Sequence, residues 1–165
     1  ATLDKAGIGY AEDPTNRDVG FTRPRLRALM PALAKEGCDA RNLARLASRL
    51  ARANAALELL VDGAERYLAL QDRTARRPGF QARAFASLAP EIKVRLLLRA
   101  IDRVGCEGPA ELGKVETLLL ALDRAAAGGG VHGRRILLRR TLAGALVTLT
   151  AERISVERAP PRRAR

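Results

Sequence analysis

From Asp39 onward, apolar residues recur at alternating spacings of three and four: Leu43, Leu46, Leu50, Ala53, Leu57, Leu60, Ala64 and Tyr67. That alternation places them on one face of an α-helix. It predicts a single helix of about thirty residues, roughly 45 Å long at 1.5 Å per residue. Asp39 is the expected N-cap, since its carboxylate can accept from an amide of the first turn. Gly63 interrupts the run at a cost of about 1 kcal/mol relative to Ala. So long a helix with so narrow an apolar seam has to lie against something. The segment Arg23–Lys35, a domain outside this sequence, or a second copy in a homodimer would each serve.

The flanking patterns fill in the rest of a mainly α chain. Residues 1–22 are turn-rich, with Gly7, Gly9, Pro14, Asn16 and Gly20 close together. Leu26, Leu29, Met30 and Leu33 mark a first helix that Gly37 stops. Pro24 suits its first turn, and Pro31 is expected to kink or split it. The polar stretch Gln71–Gly79 reads as a linker. Pro90 opens another helix through Val94, Leu97, Leu98 and Ile101, closed by Gly105, and a further one runs from about Pro109 to Ala127. After Gly128-Gly129-Gly130 the period changes to two. Val147 and Leu149, then Ile154 and Val156, alternate with polar residues about a turn, as in an antiparallel hairpin, and Ile136–Leu142 can add a third strand. The expected organisation is a linker loop at 1–22 and an antiparallel helical domain with a long helix at 23–77. A small α+β domain ending in a β-hairpin and a basic, frayed tail then occupies 78–165.

Charge narrows the function. Thirty Lys+Arg against 18 Asp+Glu give a net charge of +12, and only four of the thirty are lysines. Arg41, Arg45, Arg49 and Arg52 step by four, four and three along one helix face. Arg95, Arg99 and Arg103 repeat the arrangement on a second helix, and Arg134, Arg135, Arg139 and Arg140 cluster around the start of the strands. Like charges at i,i+4 repel by a few tenths of a kcal/mol per pair, and a polyanion laid across the face reverses that sign. The stripes therefore read as phosphate-tracking surfaces for nucleic acid. Solvated faces in an arginine-rich chain are the alternative, and an acidic protein partner for a helical scaffold is another. With three Phe, two Tyr and no Trp, stacking bases on aromatic platforms is not the main device.

Other classes fall away. No apolar run is long enough to span a membrane, and Ala1–Lys5 has no signal-peptide pattern. Cys38, Cys106 and His132 are too few for a disulfide framework, a four-ligand zinc site or multi-histidine metal chemistry, so no metal site is expected. These features suit a reducing, cytoplasmic setting. His132 reads as a loop residue and the two cysteines as ordinary thiols. Ala1, in place of Met, suggests a piece of a longer chain.

The most specific stretch is Tyr10-Ala11-Glu12-Asp13-Pro14-Thr15-Asn16-Arg17-Asp18, followed by Phe21-Thr22-Arg23-Pro24-Arg25-Leu26-Arg27. It reads as a turn leading into a helix, with Arg23 and Arg27 on one face. Arginine in a first turn opposes the helix dipole and calls for an anion nearby: Glu12, Asp13, Asp18 or a bound phosphate. The pattern E-D-P-[ST]-N-x-D, then an aromatic, one residue, Arg, a further Arg four on, and L-x-P-x-L, resembles the tRNA(Ile)-lysidine synthetase family. There it lies just after the N-terminal catalytic domain. The resemblance extends over essentially all 165 residues, specific in 10–33 and diffuse afterwards.

The resemblance implies an ATP-dependent ligase acting on the wobble cytidine of a tRNA(Ile) with a CAU anticodon. That family adenylates the C2 carbonyl oxygen of the base, and the lysine ε-amine then displaces AMP to give lysidine. It also implies linker-motif roles for Asp13, Asn16 and Asp18, and supporting catalytic roles for Arg23 and Arg27 beside the triphosphate or adenylate. Pro24 stands where many members have Asn. The family's S-G-G-x-D-S loop is absent from the sequence, and Gly128–Gly133 follows a helix instead of opening one. ATP and Mg2+ would then be bound mainly by a domain outside this sequence, with no cofactor expected here. By this reading the chain supplies the linker and tRNA-binding region and is inactive alone. The competing reading is a stand-alone basic helical RNA-binding or ribosome-associated adaptor.

Overall fold

Helix α1 (Thr22–Lys35) and helix α2 (Ala40–Gln71, 32 residues) form where the apolar spacing predicts them. Pro31 lies inside α1 without splitting it. Gly37, at φ +82, ends α1 in a left-handed turn: its amide donates to the Ala34 carbonyl at 3.1 Å, and that of Cys38 to Leu33 at 2.8 Å. Both bonds satisfy carbonyls that the helix end leaves open. Asp39 then caps α2 as expected, accepting at Oδ1 from the Asn42 amide at 2.7 Å.

The computed structural model describes residues 18–71, 79–128 and 136–161. Among them are five helices and one four-stranded sheet, a mainly α architecture with a terminal antiparallel hairpin. The linker read at Gln71–Gly79 falls almost wholly on 72–78, outside the described residues. So do Asp13, Asn16, His132, Arg134, Arg135 and the end of the tail.

The chain divides into two compact units, Ala1–Asn54 and Ala55–Arg165. The division falls inside α2, not at the polar segment after it, because the second half of α2 belongs to the core of the second unit. Val61 and Leu68 are buried there, with Leu57 and Ala64 packed against them. That face steps four, three, four. The sequence seam had included Leu60 and Tyr67, and both are exposed. A helix of 3.6 residues per turn drifts by about 20° per heptad relative to a 3.5 repeat, which moves the buried stripe one residue along.

In the second unit, β1 (Gly79–Gln81) leads into the short α3 (Ala82–Ala86). Neither has a sequence signal long enough to read. The Gln81 side chain caps α3 by accepting from the Ala84 amide at 2.8 Å, and Phe80 stacks on Phe85 with centroids 5.2 Å apart. Helices α4 (Pro90–Val104) and α5 (Leu112–Gly128) follow, then β2 (Ile136–Leu142), β3 (Ala145–Thr150) and β4 (Arg153–Arg158). The sheet order is β1-β4-β3-β2, all antiparallel. Val147 pairs with Val156 and Leu149 with Ile154 on the buried face, the period-two pattern read from the sequence. They pack with Leu96, Leu97 and Ile101 of α4 and Val115, Leu118, Leu119 and Leu122 of α5. Gly79 has no substitute at the sheet edge: at φ +144, a Cβ would lie 2.1 Å from the Ile154 carbonyl oxygen.

The first unit is built differently. No side chain of α1 is buried, and every residue of α2 from Ala40 to Asn54 is exposed. The neighbour that the sequence offered for the seam, the Arg23–Lys35 segment, therefore does not seal it.

Candidate nucleic-acid interface

The lead-in to α1 is held by Asp18, the last residue of the motif, and by Arg25, which the motif does not single out. Asp18 Oδ1 accepts from the Gly20 amide at 2.8 Å. Arg25 folds back to donate from Nη1 to the carbonyls of Val19 (2.9 Å) and Gly20 (2.7 Å). Arg25 is thus a structural clamp, a role no spacing rule would find. Arg23 and Arg27 are exposed, and neither makes an ion pair among the described residues. The helix start around them has no side-chain cap and no acidic residue in its first turn. The anion that an arginine in the first turn calls for is therefore not Asp18.

Arg41, Arg45, Arg49 and Arg52 also stand in solvent, and among the described residues Arg52 Nη1 donates to Ser48 Oγ, four residues back, at 3.0 Å. No carboxylate among the described residues offsets this row. From residue 18 to residue 54, eight Arg+Lys face three Asp+Glu. Such a row repels itself along α2 and attracts a polyanion.

The second arginine row sits in quite different surroundings. Arg95 Nε donates to Glu91 at 2.7 Å, and Arg95 Nη1 to Glu58. Arg99 bridges Asp62 (2.7 Å), Glu65 (3.4 Å) and Glu58, and Arg103 pairs with Glu65. Three guanidiniums thus meet four carboxylates in a ladder joining α4 to the second half of α2. Hydrogen bonds from Arg99 and Arg95 hold Glu58 below the usual carboxylate range, and Arg103 does the same to Glu65. Asp62 and Glu58 in turn push Arg99 up, and Glu91 and Glu58 push Arg95 up. Read as a phosphate-tracking stripe from its own spacing, the row is an inter-helix zipper. The signal was there in the partner strip: Glu58, Asp62 and Glu65 step by four and three on α2, matching a basic row that steps by four.

Arg139 and Arg140 lie on β2, an edge strand of the sheet. They are exposed, opposite Thr148 and Val147 of β3 respectively, and as consecutive strand residues they point to opposite faces. Arg140 borders a recess of about 330 Å³ between α5 and β2, lined also by Lys114, Thr117, Leu118, Thr141 and Leu142. Lys114 had not been read as part of any basic cluster. It pairs with Glu111 at 2.7 Å, which raises the ammonium and lowers the carboxyl.

Cys38 and Cys106 are free and exposed. Among the described residues, no group of His, Cys, Asp and Glu is arranged to hold a metal ion, and no helix is long and apolar enough to cross a membrane.

No family model matches the chain. Curated proteins do. It is 60% identical over 175 residues to a tRNA(Ile)-lysidine synthase of Bradyrhizobium diazoefficiens, covering 99% of this chain and 48% of that protein. To the tRNA(Ile)-lysidine synthase of Rhodopseudomonas palustris it is 59% identical, over 100% of this chain and 48% of the relative. The synthase of Methylobacterium nodulans is 43% identical over 99% of the chain. The chain spans about half the length of these relatives, in their C-terminal part.

Proposed function

On the premise that the chain belongs with the C-terminal halves of the tRNA(Ile)-lysidine synthase family, we propose that it is the RNA-holding part of a ligase. That ligase joins lysine to C2 of the wobble cytidine in a tRNA(Ile) with a CAU anticodon. The observation that carries the reading is identity of 60% along virtually the whole chain to proteins of that name. ATP, Mg2+ and free lysine belong in this reading to the other half of the parent protein, because the present sequence has no S-G-G-x-D-S loop. What the bound ATP supplies is activation of the base for attack by the amine. What this chain supplies is position.

Two basic patches, one in each unit, would do the holding. In the first unit it is the row Arg41, Arg45, Arg49 and Arg52, which has no carboxylate partner among the described residues. In the second it is Arg140 with Lys114 beside the recess, and Arg139 on the other face of the same edge strand. Phosphate contacts of this kind fix the register of an RNA without reading its bases. Arg95, Arg99 and Arg103 are left out: a phosphate there would have to displace four carboxylates. Arg23 and Arg27, with Asp18 and the motif residues Asp13 and Asn16, mark the junction to the catalytic half. The two guanidiniums offer charge to an anionic reactant.

The test is chemical. The longer parent protein, given ATP, radiolabelled lysine and a transcript of tRNA(Ile) with a CAU anticodon, should transfer label to the RNA. The same transcript with a different wobble base should stay unlabelled. Absence of transfer to the CAU transcript under conditions where the protein is folded would overturn the reading.

A further inference from the structure

The first unit presents an apolar stripe on each of its two helices, and nothing among the described residues covers either one. Leu26, Leu29 and Leu33 of α1 and Leu43, Leu46 and Leu50 of α2 are between 38% and 60% exposed. Each trio steps by three and then four, which keeps it on one helix face, so these are stripes, not scattered residues. Short isolated helices are marginal in water, and helical stability in proteins comes mostly from packing such a face. An exposed apolar stripe of this extent marks a surface that is covered in the working molecule.

Three occupants compete: a second copy, nucleic acid and the rest of the parent protein. A second copy would set one surface carrying eight basic and three acidic residues against another of the same composition. A two-fold contact places identical patches face to face, so the arginine rows would repel across it. Nucleic acid would meet the arginines but leave the leucines wet. The relatives are about twice the length of this chain. Their additional length is attached to the same polypeptide, and a tethered segment docks at high effective concentration without needing strong affinity of its own.

We propose that the leucine face of α1 and the first part of α2 seats the half of the parent protein that lies outside the region matched here. The contact is intramolecular, apolar at its centre and rimmed by arginine. This proposal rests on family membership and on exposure, not on the RNA-holding role, and stands or falls separately from it.

Carbene footprinting of the 165-residue chain and of the longer parent protein tests it, both held at concentrations where sedimentation velocity shows monomers. Labelling follows exposed area. If side chains about half exposed become buried, modification at Leu26, Leu29, Leu43, Leu46 and Leu50 should fall about fivefold in the longer protein. Leu112 and Ile136, exposed in the second unit, serve as internal references. Equal labelling in the two proteins would overturn the proposal. So would protection that appears in the 165-residue chain as concentration rises and dimers form, which would assign the face to a second copy. The double substitution Leu46→Glu and Leu50→Glu adds a second readout. In the 165-residue chain it should leave the melting temperature where it was, because both side chains already face water. In the longer protein it should restore labelling at Leu29 and Leu43; protection persisting there would contradict the docking. Should that variant be recovered only as aggregate, the comparison of the two unsubstituted proteins decides the matter.

Discussion

Substituting Arg99 by Ala removes the guanidinium at the middle of the α2–α4 ladder and leaves Glu58, Asp62 and Glu65 facing one another with fewer counter-charges. Arg99 is 28% exposed, and its partners are 30% to 49% exposed. Each contact therefore belongs with surface ion pairs, at about 0.2–1 kcal/mol, not with buried ones. Three such contacts, discounted for solvent screening, and the residual repulsion among the carboxylates give a loss of about 1–2 kcal/mol. For a chain of this size that lowers the melting temperature by roughly 3–6 °C. Arg45→Ala, at an exposed position without a carboxylate partner among the described residues, should change stability by less than about 0.5 kcal/mol.

Acid sharpens the test. Glu58 and Glu65 have folded-state carboxyls held below the ordinary value of 4.5. The unfolded chain consequently binds more protons, so their contribution is present above that value and is lost as pH falls through the lowered folded one. Urea unfolding followed by circular dichroism should show a gap between the unsubstituted chain and Arg99→Ala at pH 7. The gap should close towards pH 3 and narrow in 1 M salt. A gap below about 0.5 kcal/mol at pH 7, or one of constant size down to pH 3, would refute the ladder as a source of stability.

Further expectations concern single residues. Lys93 is almost fully buried and both its bonds, 3.1 Å each, go to Asp123; Asp123→Ala should cost about 1–2 kcal/mol, less than a fully buried pair because Asp123 is half exposed. Replacing both partners, as Lys93→Met with Asp123→Leu, should recover most of that loss in the same urea titration. Gly79→Ala forces a Cβ onto the Ile154 carbonyl and should cost about 2–3 kcal/mol, with loss of exchange protection at the amides of β1. Gly37→Ala has open space around it and only an unfavourable φ, so it should cost about 1 kcal/mol.

Local chemistry was the legible part of this chain. Asp39 announced a cap and Gly37 a stop; the alternation at Val147, Leu149, Ile154 and Val156 announced a hairpin. Each signal is complete within a few residues. The elements that could not be read are those whose cause lies elsewhere. A three-residue strand at Gly79–Gln81 has too few positions to show a period, and it exists because β4 offers an edge. The drift from Leu60 to Val61 depends on which side of α2 meets α4 and the sheet. Arg95, Arg99 and Arg103 looked like Arg41, Arg45 and Arg49 because a repeat spacing says nothing of what faces it. Apart from Glu91, their carboxylates lie more than thirty residues away in sequence.

The RNA-holding claim is tested most directly by the slope of tRNA affinity against salt. Each phosphate neutralised by an arginine contributes about 0.7–0.9 to the slope of log affinity against log salt concentration. Replacing Arg41, Arg45, Arg49 and Arg52 together by Gln should therefore flatten that slope by about 3 units in filter-binding titrations, while Arg99→Ala leaves it alone. An unchanged slope in the fourfold variant, or one flattened equally by Arg99→Ala, would contradict the account.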